Sequence, residues 1–166
     1  NITTKTTEGR GGQGQPETKR LQKADMPAGA IIFTHIDEIT GSVTTYSVTH
    51  LWLEVERLVA EGRVANNVPV DRKFAKYVRE NRGIERHRLD RIKRKHLKTP
   101  VLFARQLDGS NLLIDGNHRY VKAANLMQRM IPAFILLPEE WYPFTLDGDV
   151  CETTAEELLT SKSGIE

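Results

Sequence analysis

This chain of 166 residues has little of the material on which several protein classes depend. It contains one cysteine, Cys151, which excludes an internal disulfide and any zinc site built from several cysteines. No apolar run approaches the roughly 20 residues that a helix needs to cross a bilayer, and the N-terminus has no apolar secretory segment. We therefore expect a cytoplasmic globular domain that makes no membrane contact.

Several enzyme signatures are also missing from the sequence. There is no P-loop, no dinucleotide-binding glycine fingerprint and no Gly-x-Ser-x-Gly elbow of a serine hydrolase. The five histidines show no His-x-x-x-His spacing that would define a metal site. These absences leave binding proteins and enzymes with less common phosphate sites.

Positive charge is concentrated in residues 72–98, which hold twelve of the 24 Lys and Arg residues against three acids, a net charge of +9. Residues 139–166 hold eight acids against Lys162 alone. Six cations of the basic segment lie largely off its apolar stripe: Arg86, Arg88, Arg91, Lys93, Arg94 and Lys95. Because Lys and Arg release counterions when they neutralise phosphates, this pattern predicts a surface for DNA, RNA or an acidic protein. A solvated face, or an extension of a nucleotide site, explains the same charges.

The hydrophobic pattern predicts an α/β (α+β) domain over residues 28–138, between a flexible polar arm (1–27) and an acidic extension (139–166). The predicted strands are Ala30–Ile36, Pro100–Arg105, Asn111–Ile114 and Ile131–Leu137, with 41–48 left as a loop or short strand. The predicted helices are His50–Glu61, one capped by Asp71, Ile84–Leu97, Asn117–Gln128 and Thr154–Thr160. Phe74 and Tyr77 are expected in the core.

The segment Asp115-Gly116-Asn117-His118-Arg119 carries most of the functional information, because it lies where a strand passes into a helix. A helix N-terminus favours phosphate through its unpaired N–H groups and its macrodipole. Gly116 would let backbone approach a phosphate, and Arg119 offers a charged fork for its oxygens.

Other side chains of this segment suit phosphate chemistry. His118 is able to donate to phosphate or pass a proton, and Asp115 to hold Mg²⁺ or orient a hydroxyl. Asn117 is a phosphate donor or simply an N-cap, and Lys122 faces either ligand or solvent. The ordinary alternative is that Asp115-Gly116 is only a turn.

The order of strand, hairpin, helix and strand across residues 100–137 resembles the ParB/sulfiredoxin superfamily. The proline-led strand of that superfamily is matched by Pro100-Val101-Leu102. Its Gly-x-x-Arg box is matched by Gly116–Arg119, and its strand that begins with Ile-Pro is matched by Ile131-Pro132. The resemblance implies a small mixed sheet flanked by helices that binds ATP or CTP, and it is best supported over residues 84–138. The box is nearest to those of the sulfiredoxins and free-serine kinases. Asn117 replaces the cysteine that sulfiredoxins need, so sulfinic-acid reduction is not expected.

Two functions follow from this resemblance and from the charges. The first is an ATP- or CTP-dependent phosphotransferase or NTPase with Asp115 and His118 as catalytic residues. In this first function Asp115 holds Mg²⁺, and the nucleotide is bound by Gly116, Asn117, His118, Arg119 and Lys122. The second is a non-catalytic, ParB-like module, gated by nucleotide or not, that binds nucleic acid or a partner through residues 72–98. Self-association is left open by the sequence.

Overall fold

The computed structural model describes residues 19–147, and this part of the chain is an α+β protein, as predicted. Its strands are β1 (Ile32–Ile36), β2 (Val43–Ser47), β3 (Asn66–Pro69), β4 (Val101–Arg105), β5 (Asn111–Asp115) and β6 (Met130–Leu136). Its α-helices are α1 (Val48–Ala60), α2 (Arg72–Asn81), α3 (Arg86–Arg91), α4 (Asn117–Asn125) and α5 (Pro138–Trp141). Short 3-10 turns cover Lys23–Asp25, Arg94–Lys98 and Tyr142–Phe144.

The strands form two sheets. A mixed sheet has the order β3-β6-β4-β5, with β4 and β6 parallel and the other neighbours antiparallel, and β1 and β2 form a separate antiparallel hairpin. The antiparallel pairing of β4 with β5 confirms the predicted hairpin. The α4 helix then carries the chain from β5, at one edge of the mixed sheet, to β6 on the other side of β4.

Alternate side chains of the mixed sheet point into two separate cores. On β4, Val101 and Phe103 pack with buried residues of α2, α3 and α4, whereas Leu102 and Ala104 pack with β2, α1 and α5. This alternation follows from the two-residue period of a strand. The sheet is therefore covered on both faces, and α2, α3 and the turn Arg94–Lys98 of the basic segment pack in the same layer.

The predicted single helix Ile84–Leu97 is wrong. The chain forms α3, then becomes extended at Ile92 and Lys93, and re-forms as the 3-10 turn Arg94–Lys98. The Lys93 N–H donates to Nδ1 of His96 at 2.9 Å, which begins this turn. Closely spaced like charges disfavour a continuous helix. The break allows both Leu89 and Leu97 to be buried in the same core.

Other differences from the sequence prediction concern short elements and ends. Strand β3 was not predicted, and residues 43–47 form β2, one of the two alternatives left open. The predicted helix Asn117–Gln128 ends earlier, at Asn125, because Met127 adopts a positive φ of 61°. Tyr77, expected in the core, is 49% exposed.

The chain ends of the described region pack against each other beside β2. The N–H of Leu21 donates to the Thr145 carbonyl, and the Arg20 side chain donates to Thr145 Oγ1 and the Leu146 carbonyl. Arg20 and Leu21 of the predicted arm therefore contact the folded domain. The predicted helix Thr154–Thr160 lies outside the described residues. Within residues 19–147, no helix is long and apolar enough to pass through a bilayer.

Candidate functional site

The predicted phosphate turn lies where β5 passes into α4, and Gly116 occupies a position that only glycine fits. Its φ is +96°, a left-handed conformation that other residues rarely adopt. A β-carbon placed there would lie 2.5 Å from Cγ1 and 2.8 Å from Cβ of Val101 on β4. The glycine thus allows the turn to pack directly against the sheet.

Asp115, proposed from the sequence as a catalytic and Mg²⁺-binding residue, is held by two hydrogen bonds. Trp52 on α1 donates its Nε1–H to Asp115 Oδ2 at 2.7 Å, and the Gly116 N–H donates to Oδ1 at 2.9 Å. Each carboxylate oxygen therefore has a protein donor. Trp52 is a residue that the sequence did not connect with the turn, since it lies 63 positions earlier.

Asn117 and His118 are buried and contact the basic segment. Arg82 donates to Asn117 Oδ1 at 2.9 Å and to the Leu113 carbonyl at 2.8 Å. The N–H of Glu85 donates to His118 Nε2 at 3.2 Å, so this nitrogen acts as an acceptor and carries no proton here. These contacts join the turn to the segment that connects α2 with α3.

The Arg119 guanidinium turns back toward the start of β4. Its NH1 group donates to the carbonyls of Thr99 at 2.6 Å and Pro100 at 2.8 Å. Burial lowers the pKa of Arg119, and the nearby Asp115 carboxylate opposes that shift. Lys122, one turn further along α4, is partly exposed.

Two guanidinium groups therefore bracket the Gly116-Asn117 peptide. Arg82 contacts Asn117, and NH2 of Arg119 lies 3.3 Å from the place where a Gly116 β-carbon would be. Together with the helix N-terminus, they make the turn electropositive. The sequence marked Arg82 only as one of twelve cations; nothing in its spacing indicated a bond to Asn117, 35 residues later.

An open cleft of about 960 Å³ reaches this turn from the surface. One wall is the strand β1 and the loop that follows it, and the opposite wall is the C-terminal end of α2. Asn117 and Arg82 line it, whereas His118 and Arg119 do not. The cleft therefore extends from the surface to Asn117 and Arg82.

The basic segment presents its cations to solvent. Five of the six predicted surface cations are exposed: Arg86, Arg91, Lys93, Arg94 and Lys95. Within residues 19–147, no carboxylate lies within 4.0 Å of any of these five. Arg88 is less exposed and lies 3.9 Å from Glu85. The structure thus brings five cations together on α3 and the adjoining turn, in the layer that also contains α2.

The opposite layer carries the other sign of charge. Residues 30–61, which form the hairpin and α1, contain five acids against Arg57, and residues 138–147 contain three acids and no Lys or Arg. The described molecule is therefore electrostatically polarised across the mixed sheet. Among residues 19–147, no group of three or more His, Cys, Asp or Glu side chains is arranged to hold a metal ion.

Comparison with known proteins gives no relative from which a function can be transferred. No protein-family model, curated protein or solved structure matches this chain.

Proposed function

We propose that this protein binds nucleic acid through the basic layer formed by α2, α3 and the turn Arg94–Lys98. The observation that carries the proposal is the set of five exposed cations with no carboxylate within 4.0 Å in the described chain. A cation that is already paired gains little from a phosphate, whereas an unpaired one releases counterions on binding. The net charge of +9 over residues 72–98 adds a long-range attraction for polyanions.

The acidic opposite layer supports an oriented encounter. A polyanion is attracted by α3 and repelled by the hairpin and α1, so the charge distribution favours approach from one side. The cations lie on a short helix and a tight turn rather than on one long recognition helix. This arrangement suits contacts to phosphates, which position a protein but carry no sequence information.

The test is a binding titration of the full chain with labelled duplex DNA and single-stranded RNA at low salt, read by fluorescence anisotropy. We expect Arg91→Ala/Arg94→Ala to bind at least tenfold more weakly than the unaltered chain. The matched control, Lys19→Ala/Arg57→Ala, removes the same charge outside the basic layer and should bind nearly normally. No affinity for either nucleic acid at low salt would remove the proposal.

We propose as a second candidate that the first turn of α4 binds the phosphates of ATP or CTP. The electropositive Gly116-Asn117 peptide at the start of α4, bracketed by Arg82 and Arg119, favours it. Mg²⁺ would then be shared by Asp115 and the phosphates, as is usual for this ion. Catalysis as a phosphotransferase or NTPase would in addition require His118 to give up its bond from the Glu85 N–H.

Calorimetric titration with ATP, CTP and GTP, with and without Mg²⁺, tests this candidate. We expect Arg82→Gln to abolish binding and Arg82→Lys, which keeps the charge, to retain part of it. Absence of binding for all three nucleotides at millimolar concentration would remove the candidate. Binding without turnover would favour a nucleotide-gated binding module over an enzyme.

We also propose kinship with the ParB/sulfiredoxin superfamily and a cytoplasmic location. The order β4, β5, α4, β6, with the box at the start of α4, supports the kinship. The single cysteine supports the location.

A further inference from the structure

Within residues 19–147, no strand pairs with the outer edge of β1. In the β1–β2 hairpin, the Val48 N–H donates to the Ile31 carbonyl and the Asp37 N–H to the Ser42 carbonyl. In antiparallel pairing, hydrogen-bonded residues alternate with residues whose N–H and C=O point outward. These two bonds lie at opposite ends of β1, and both place the odd-numbered residues of the strand in the hydrogen-bonded pairs. The backbone groups of Thr34 and Ile36 therefore point away from β2.

The other strand of the hairpin confirms this assignment. The partner of Thr34 is Thr45, and the Thr45 carbonyl accepts from the Leu146 N–H on the far side of β2. The edge of β2 is thus partly covered by residues 145–147. No backbone hydrogen bond from residues 19–147 covers the outward groups of Thr34 or Ile36.

The cleft described above runs along this open edge. Seven consecutive residues, 33–39, line it, and no residue of β2 does, which places the cleft on the outer side of β1. The facing wall is formed by Tyr77, Asn81 and Arg82 at the end of α2. A groove bounded by an unpaired strand edge on one side and a helix end on the other offers backbone hydrogen-bonding groups to an added strand.

The side chains of the cleft define what that strand should carry. Ile36 is 59% and Ile39 95% exposed, and with Tyr77 they offer apolar contacts at its mouth. The cleft is also lined by three carboxylates, those of Asp37, Glu38 and Asp108. The Arg82 guanidinium and the His35 imidazole line it as well.

Two carboxylates of the cleft, those of Asp37 and Asp108, are ionised at neutral pH. Hydrogen bonds from the N–H groups of Thr40 and Ile39 lower the pKa of Asp37, and the hydroxyl and N–H of Ser110 lower the pKa of Asp108. Glu38 is exposed and accepts no hydrogen bond from residues 19–147. The mouth of the cleft is therefore negatively charged.

We infer that this cleft binds an extended peptide segment of a partner protein, rich in β-branched residues and carrying lysine or arginine, which pairs with the edge of β1. Backbone hydrogen bonds to Thr34 and Ile36 supply affinity, and the cation-bearing side chains reach the carboxylates of Asp37, Glu38 and Asp108. The negative charge of the cleft mouth disfavours a nucleic acid at this place, and none of the five exposed cations proposed to bind nucleic acid lines the cleft.

The experiment uses two synthetic nine-residue peptides that alternate Thr or Val with Lys in one and with Glu in the other. Binding is followed by amide chemical shifts and hydrogen exchange of the full chain. We expect the Lys peptide to bind at least tenfold more tightly than the Glu peptide and to slow exchange of the Thr34 and Ile36 amides. Failure of the Lys peptide to bind at millimolar concentration would overturn the inference.

Proline substitution locates the site, because it removes one N–H donor. Thr34→Pro removes a donor that β2 does not use, and should weaken the Lys peptide at least tenfold. Val43→Pro is the matched control, since its outward N–H lies on the far edge of the same hairpin. Equal binding of the Lys peptide by both variants would contradict the site. Protection of the Thr34 amide that rises with protein concentration in the absence of peptide would also contradict it, because a second copy of this chain would then pair with β1.

Charge reversal and peptide methylation give readouts that do not depend on the fold of the Thr34→Pro variant. Glu38→Lys should reduce the preference for the Lys peptide over the Glu peptide at least threefold. Two further Lys peptides are N-methylated at alternate residues, one at the odd positions and one at the even positions. Because only every second N–H of an added strand faces β1, one of them should lose binding and the other should keep it. Retained binding by both methylated peptides would exclude strand pairing with β1.

Discussion

Substitution of Gly116 by alanine tests whether the turn before α4 is set by packing against the sheet. The new β-carbon would meet Val101 at 2.5 Å and would force alanine into a φ of +96°. The left-handed conformation costs about 1–2 kcal/mol for an L-residue. Overpacking adds about 1–3 kcal/mol. We therefore expect Gly116→Ala to reduce the free energy of unfolding by about 2–5 kcal/mol.

Gly109→Ala is the matched control for this change. Gly109 has a similar φ of +90°, but a β-carbon there would meet nothing within 4 Å. It should cost only the backbone contribution of about 1–2 kcal/mol. Urea denaturation of both variants separates the two contributions, and Gly116→Ala should cost less stability in a Val101→Ala background than in the unaltered chain. Equal destabilisation by Gly116→Ala and Gly109→Ala would refute the close packing of the turn against β4.

Three further predictions concern the framework around the sites. Asp71 accepts from two N–H groups at the start of α2, so Asp71→Ala should destabilise by about 1 kcal/mol in urea, and Asp71→Ser should not. Trp52→Phe removes the donor to Asp115 and should cost about 1.5–3 kcal/mol in the same assay. Burial alone would raise the pKa of Glu140, but the hydrogen bonds from Arg63 and the Leu137 N–H, together with the charges of Arg63 and Arg57, outweigh it and lower the pKa below its usual value of 4.5. The ionised Glu140 therefore stabilises the fold above pH 4.5, and this stabilisation is lost as the pH falls through the pKa of Glu140 in the folded chain. The free energies of unfolding of Glu140→Gln and of the unaltered chain should therefore converge in acid.

Local patterns predicted most of the secondary structure because they depend on neighbouring residues. The apolar runs that became β4, β5 and β6 and the Asp71 cap are signals of this kind. Strand β3 escaped prediction because Asn66–Pro69 contains two asparagines and a proline, residues that are rare in strands. Its pairing with β6 places it at the edge of the mixed sheet.

The contacts of the candidate sites depend on residues far apart in the chain. The sequence identified Asp115 and Asn117 as candidates, but not Trp52 or Arg82, their partners 63 and 35 residues earlier. It also gave no sign that the N–H of Glu85 would reach His118. These partners are fixed by how α1, α2 and α3 pack on the sheet, which composition and spacing do not determine.

The most direct test of the proposed nucleic-acid function is the salt dependence of duplex DNA binding. Five exposed cations that each neutralise one phosphate predict a slope of log K against log salt of about −4.5. Arg91→Ala/Arg94→Ala should make the slope less steep by about 1.8, and Lys19→Ala/Arg57→Ala should leave it unchanged. A slope that is the same in the unaltered chain and in both variants would contradict the assignment of nucleic-acid binding to the basic layer.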